Sequence, residues 1–152
     1  MARRIGRAMR CMSAEFCDTN VLVYGYDTTA GEKHERARDL IERFWREEAG
    51  AISIQVLQEL FVTLTRKVAA PLDLSTAREI VADLTTWHVV APTAGDVLEA
   101  IDAAERWHLS FWDAMIVTAA QRAGAAVLWS EDLQHGQTFE GLTIRNPLLV
   151  RG

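Results

Sequence analysis

A chain of 152 residues with 49% hydrophobic and 24% charged residues has the size and composition of one packed domain, which excludes a disordered or low-complexity protein. The net charge of −5 excludes a binder that holds nucleic acid through bulk positive charge, so any such role must rest on local chemistry. Two cysteines, Cys11 and Cys17, are too few for the disulfide framework of a small secreted domain, and no apolar run has the length of a signal peptide or a bilayer span. A reducing, cytoplasmic setting without membrane contact is expected.

The first segment, Met1–Ser13, carries Arg3, Arg4, Arg7 and Arg10 without periodicity. It reads as a disordered basic arm, or as sequence upstream of a start at Met12, ahead of one domain over 14–150. Glu15–Cys17 is a strand candidate, and Asp18 follows it directly. From His34 to Glu47 the apolar residues Ala37, Leu40, Ile41, Phe44 and Trp45 recur at helical spacing. A strand is expected at Ala51–Ile54, then a helix over Gln55–Val68 through Val56, Leu57, Leu60, Phe61 and Leu64. Ser75–Trp87 is a further helix, with Thr76 and Glu79 placed as a capping box. Then come a strand at His88–Ala91 and a helix over Ala94–Trp107.

The helix from Ser110 to Ala123 differs, because Phe111, Trp112, Ala114, Met115, Ile116, Val117, Ala119 and Ala120 cover nearly its whole circumference. That pattern predicts a buried helix, stopped by Gly124. Strands at Ala125–Trp129 and Leu142–Arg145 complete the chain. Such alternation predicts an α/β fold, a mostly parallel sheet of about five strands between two helical layers, with its binding site at the carboxyl ends of the strands.

Four acids fall where that edge is expected. Asp18 ends the first strand, and Asp132 follows the Ala125–Trp129 strand through Ser130 and Glu131. Glu59 lies early in its helix on the flank of the apolar arc, and Asp113 interrupts the buried helix in its first turn. A buried, unpaired carboxylate is expensive, and several together repel one another unless a cation lies between them. Oxygen-only donors favour Mg²⁺ or Mn²⁺ over Zn²⁺. Such an ion activates water for attack on a phosphodiester and offsets the charge that develops on phosphate. Each acid also has a purely structural explanation: Asp18 as the cap of a following helix, Asp113 in a capping box with Ser110, Glu59 as a solvated helix residue, Asp132 as a turn residue.

The ordered segments Asp18-Thr19-Asn20-Val21-Leu22, Gln58-Glu59-Leu60, Ser110-Phe111-Trp112-Asp113-Ala114 and Trp129-Ser130-Glu131-Asp132-Leu133-Gln134-His135-Gly136 resemble the successive motifs of PIN-domain proteins, above all the VapC-type toxins of toxin–antitoxin pairs. The resemblance spans about Phe16 to Val150. It implies a PIN fold, an Mg²⁺- or Mn²⁺-dependent endoribonuclease acting on RNA, inhibition by a cognate antitoxin, and a homodimer. It also implies Asp18 and Asp113 as the main metal ligands, Glu59 and Asp132 completing the acidic pocket, and Thr19 and Ser130 as supporting hydroxyls.

Two other readings compete. A haloacid-dehalogenase-like phosphatase also starts from an Asp after the first strand, but its second acid would stand where Asn20 is. A non-catalytic interaction module would keep the fold and use the pocket only for binding. The tryptophans are assigned to the core rather than to base stacking. Arg66 and Lys67 are assigned to the helix dipole, Cys17 to the core, and His135 to a solvent-facing loop.

Overall fold

The computed structural model describes residues 14–149, so the basic arm assigned to Met1–Ser13 lies outside the described residues. Its elements are β1 (Glu15–Cys17), α1 (Thr19–Tyr26), α2 (Glu32–Glu47), β2 (Gly50–Ser53), α3 (Ile54–Arg66), α4 (Leu74–Leu84), β3 (His88–Val90), α5 (Ala94–Trp107), α6 (Phe111–Arg122), β4 (Val127–Trp129), β5 (Thr138–Phe139) and β6 (Leu142–Arg145). The sheet has six strands, in the order β3-β2-β1-β4-β6-β5. All pairings are parallel except that of β5 with β6. The extra strand β5 is two residues long, too short to carry an alternating pattern. No helix among the described residues is long and apolar enough to cross a membrane.

The sheet grows from β1 through β2 to β3 on one side, and then the chain returns to add β4 on the other side of β1. The direction of winding therefore reverses between β1 and β4, and a crevice opens there at the carboxyl ends of the strands. Cys17 pairs with Trp129 in register. The residues that follow, Asp18 and Ser130, must then meet at the mouth of that crevice.

Phe16, Leu22, Phe44, Ile52, Leu60, Leu64, Leu128 and Ile144 form the fully buried heart of the core, each worth about 1.5–3 kcal/mol on burial. Neighbouring residues on a strand face opposite ways. While Phe16 enters the core, Glu15 reaches Arg43 of α2, whose guanidinium donates to both carboxylate oxygens at 2.7 and 2.9 Å. The Trp129 indole N–H donates to the same carboxylate at 2.9 Å and ties β4 to the pair.

Helix α1 has no counterpart among the periodic segments. It spans eight residues and contains Gly25, whose lack of a side chain lets α2 approach: a Cβ there would lie 2.2 Å from Ile41 Cδ1. Helix α4 corrects the capping assignment. Its cap is Asp73, which accepts from the Thr76 amide at 2.7 Å, so Thr76 sits at the third helical position and the box with Glu79 does not form. Ala100, Ala103, Ala114 and Met115 make a small separate cluster where α5 and α6 pack together. Gly124, at φ 72°, ends α6 as expected.

Candidate active site

Asp18 is the cap of α1, and its Oδ1 accepts from the Thr19 amide at 2.7 Å. The structural explanation of this residue therefore holds, but it uses only one oxygen. The other, Oδ2, accepts from Ser130 Oγ at 2.8 Å and from Asn20 Nδ2 at 3.3 Å. The side chain is buried, and no lysine or arginine pairs with it among the described residues. Burial pushes its carboxyl up to about 7; repulsion from Asp132 and Glu59 adds to the rise, and the Ser130 and Thr19 donors oppose it.

Asn20 was absent from the expected site, and it is the connector. Its Nδ2 also donates to Asp132 Oδ2 at 3.0 Å, and its Oδ1 accepts from the Glu131 amide at 3.0 Å. One amide thus holds the turn after β4 against the turn after β1. The position where a phosphatase would carry its second acid is occupied by a neutral donor and acceptor. Its signal in the sequence was only its place two residues after Asp18.

Asp113 is half-buried rather than buried, which corrects the expectation from the apolar helix around it. Its amide donates to Ser110 Oγ at 3.1 Å, but its carboxylate makes no return bond to the cap. At α5 the full box does form, with Thr93 and Asp96 satisfying each other's amides. Asp113 therefore leaves its carboxylate free, and that side chain lines a pocket of about 440 Å³ together with Asp18, Thr19, Glu59 and Asp132. Glu59 is half-buried and accepts from Gln55 Nε2 at 2.6 Å, one turn earlier on α3. Asp132 is exposed at the rim.

All four expected acids line one pocket, and so does Thr19. Ser130, which is fully buried, lies behind Asp18: it donates to that carboxylate and accepts from the Asp132 amide at 3.2 Å. Among the described residues no three Asp, Glu, His or Cys side chains are drawn into a closed metal cage. Mg²⁺ does not require one, because it takes one or two protein carboxylates and fills its remaining positions with water and substrate oxygens. The donors present are all oxygen, and Thr19 Oγ1 is buried without a hydrogen-bond partner. A hard divalent cation fits that set.

Two assignments change. Lys67 caps the end of α3 but also lines the pocket, where it is the sole cation among the described lining residues. Trp112 is 63% exposed and lines the same pocket, and Trp45 is 41% exposed, so neither belongs to the core interior. The assignments of Cys17 and His135 held. Cys17 is fully buried, with burial pushing its thiol up, and His135 is an exposed loop residue that accepts from the Asn146 amide.

The fold and this pocket define a class: an α/β protein with carboxylates gathered at the switch point of a parallel sheet. The model of the PIN domain matches residues 16–138, most of the chain, and the protein belongs to the PIN-domain family. Comparison with curated proteins by sequence finds no match. Among solved structures the chain is similar to a toxin–antitoxin complex from Klebsiella pneumoniae, with a TM-score of 0.65 and 18% identity over 88% of this chain and 98% of that one. It is also similar to VapBC2 from Rickettsia felis bound to a DNA fragment from their promoter, at TM-score 0.61 and 16% identity, again over 88% and 98%. A third likeness is to the Sarcin-Ricin loop cleaving toxin VapC20 of Mycobacterium tuberculosis, at 0.57 and 20%, over 76% and 87%. At these identities the likeness carries the fold alone.

Proposed function

We propose that this protein is an Mg²⁺-dependent endoribonuclease, the VapC-type toxin of a toxin–antitoxin pair. The observation that carries the reading is the Asp113 carboxylate, free of its own helix cap and facing a pocket shared with the buried Asp18. Asp18 and Asp113 hold the metal, and Mn²⁺ serves as well as Mg²⁺. Glu59 and Asp132 complete the acidic pocket, Thr19 offers its unpartnered hydroxyl, and Ser130 fixes the orientation of Asp18. When bound, the ion supplies the activation of water and the neutralisation of phosphate charge that phosphodiester hydrolysis needs. The residues themselves orient the carboxylates.

An antitoxin is the expected regulator, in keeping with the toxin–antitoxin assemblies among the structural neighbours. Arginine-bearing segments suit the acidic pocket, since they compete with the metal and with substrate phosphate. The exposed apolar residues Leu98 and Ile101 on α5 support self-association into a homodimer. The site of action is the cytoplasm.

The test is cleavage of RNA by purified protein in Mg²⁺ and in EDTA, alongside Asp18→Asn and Asp113→Asn. Metal-dependent internal cleavage that both variants lose is the expected result, and intact RNA under all conditions overturns the nuclease reading. Growth arrest on expression, relieved by co-expressing the product of the adjacent reading frame, tests the toxin role separately.

A further inference from the structure

Trp112 is an anomaly in its own helix. From Ala114 to Ala120 every residue of α6 is buried, yet the bulkiest apolar side chain of that helix is 63% exposed at its first turn. It does not hang free. Phe111 meets it edge to face, with centroids 5.0 Å apart and planes at 74°, and Phe111 is itself packed on the α5–α6 cluster. The indole is thus braced by Phe111 and otherwise largely exposed, and Trp112 lines the pocket that holds Asp18 and Asp113. Lys67 also lines that pocket and makes no ion pair with a described residue.

An exposed indole costs solvation free energy unless a partner covers it, and the chemistry beside it selects the partner. Trp112 lines the same pocket as Asp18 and Asp113, so whatever carries a phosphate to the carboxylates also brings its neighbouring group within reach of the indole. For an RNA strand that group is a base. Bases in a duplex present their faces to one another, so only an unpaired base is free to stack on a side chain. The ammonium of Lys67, unpaired among the described residues, suits the next phosphate along the strand.

We propose that Trp112 is a stacking platform for a base flanking the scissile phosphate of single-stranded RNA, and so a substrate-positioning and specificity-determining residue. This rests on the ribonuclease reading and extends it. Stacking acts on the bound strand as a whole, so the effect falls on KM rather than on kcat.

The experiment compares wild type, Trp112→Phe and Trp112→Ala on short mixed-sequence single-stranded RNA oligonucleotides in which one base at a time is replaced by an abasic site. Base–aromatic stacking predicts a rise in KM of about tenfold or more for Trp112→Ala, partial rescue by Trp112→Phe and little change in kcat. In wild type a single abasic position beside the cleavage site should raise KM to the same degree, and Trp112→Ala should be blind to it. An unchanged KM and an unchanged abasic profile in a folded Trp112→Ala overturn the platform while leaving the nuclease intact. The same result with loss of antitoxin co-purification would assign the indole to a protein contact and equally overturn it. If wild type cleaves no RNA, binding decides: the same oligonucleotides must quench the fluorescence contributed by Trp112, and absence of quenching overturns the proposal.

Discussion

Ser130 Oγ donates to Asp18 Oδ2 at 2.8 Å, joining two residues 112 positions apart at the junction of β1 and β4. The register of those strands places them side by side, and the reversal of winding at this point leaves room in front of them. Ser130→Ala removes one of the donors that hold the Asp18 carboxylate charged. The Asp18 pKa should rise further, and the acid limb of the pH–activity profile should move to higher pH, with a loss of stability of about 1–2 kcal/mol. An acid limb in the wild-type position would show that Ser130 does not act on Asp18.

The buried Asp18 also makes the metal-free fold sensitive to pH. Its carboxyl is raised from 3.8 to about 7, so the folded state binds the proton more tightly than the unfolded chain does. Its contribution to stability is complete below about pH 3.8 and is lost as pH rises through about 7. In EDTA, Asp18→Asn should therefore melt higher than wild type at pH 8, and the difference should vanish towards pH 4. A variant that melts lower at pH 8 would contradict the burial penalty.

Divalent ions reverse that penalty by binding only the folded, ionised site. Mn²⁺ or Mg²⁺ at a hundredfold excess over Kd should stabilise the wild type by about 2.7 kcal/mol at pH 8, and by less at pH 5, where Asp18 holds its proton. Thermal melts of wild type and Asp18→Asn with each ion check this. Equal shifts in both proteins would place the ion elsewhere.

Asp113 differs from Asp18 because its carboxylate makes no hydrogen bond with a described residue. Asp113→Asn should change stability by no more than about 0.5 kcal/mol while removing nearly all ribonuclease activity. Full activity in the folded variant would exclude Asp113 from the site.

Glu15 is the structural counterpart, an acid paired within the fold. Burial raises its carboxyl, but the bonds from Arg43 and Trp129 outweigh that and hold it below the usual range. The stability it contributes is present above about pH 4.5 and is lost as pH falls through its lowered pKa. Glu15→Gln should cost about 1–3 kcal/mol at pH 7 in urea melts, and progressively less as the solution is acidified well below pH 4. A cost that does not shrink in acid would mean that shape, not charge, holds the contact.

The alternation of strands and helices, the position of Asp18 and Asp132 after their strands, and the stop at Gly124 were all legible from the chain, because periodicity and turn residues report local backbone preferences. The same information was silent where a neighbour decides. Gly25 has no sequence signal of its own, and its role shows only where α2 lies against it; Asp73 takes the cap assigned to Thr76 because the chain enters α4 one turn earlier. Trp112 and Asp113 share a strongly apolar helix, and only the packing of α6 leaves its first turn uncovered. Asn20 has no pattern of its own; it matters because strand order brings the turn carrying Glu131 and Asp132 to within 3.0 Å of its amide. The residues by themselves determined which chemistry was available and on which elements it lay. Sheet order and helix packing decided which side chains meet and which stay open to solvent, since those contacts depend on distances through space that no spacing along the chain encodes.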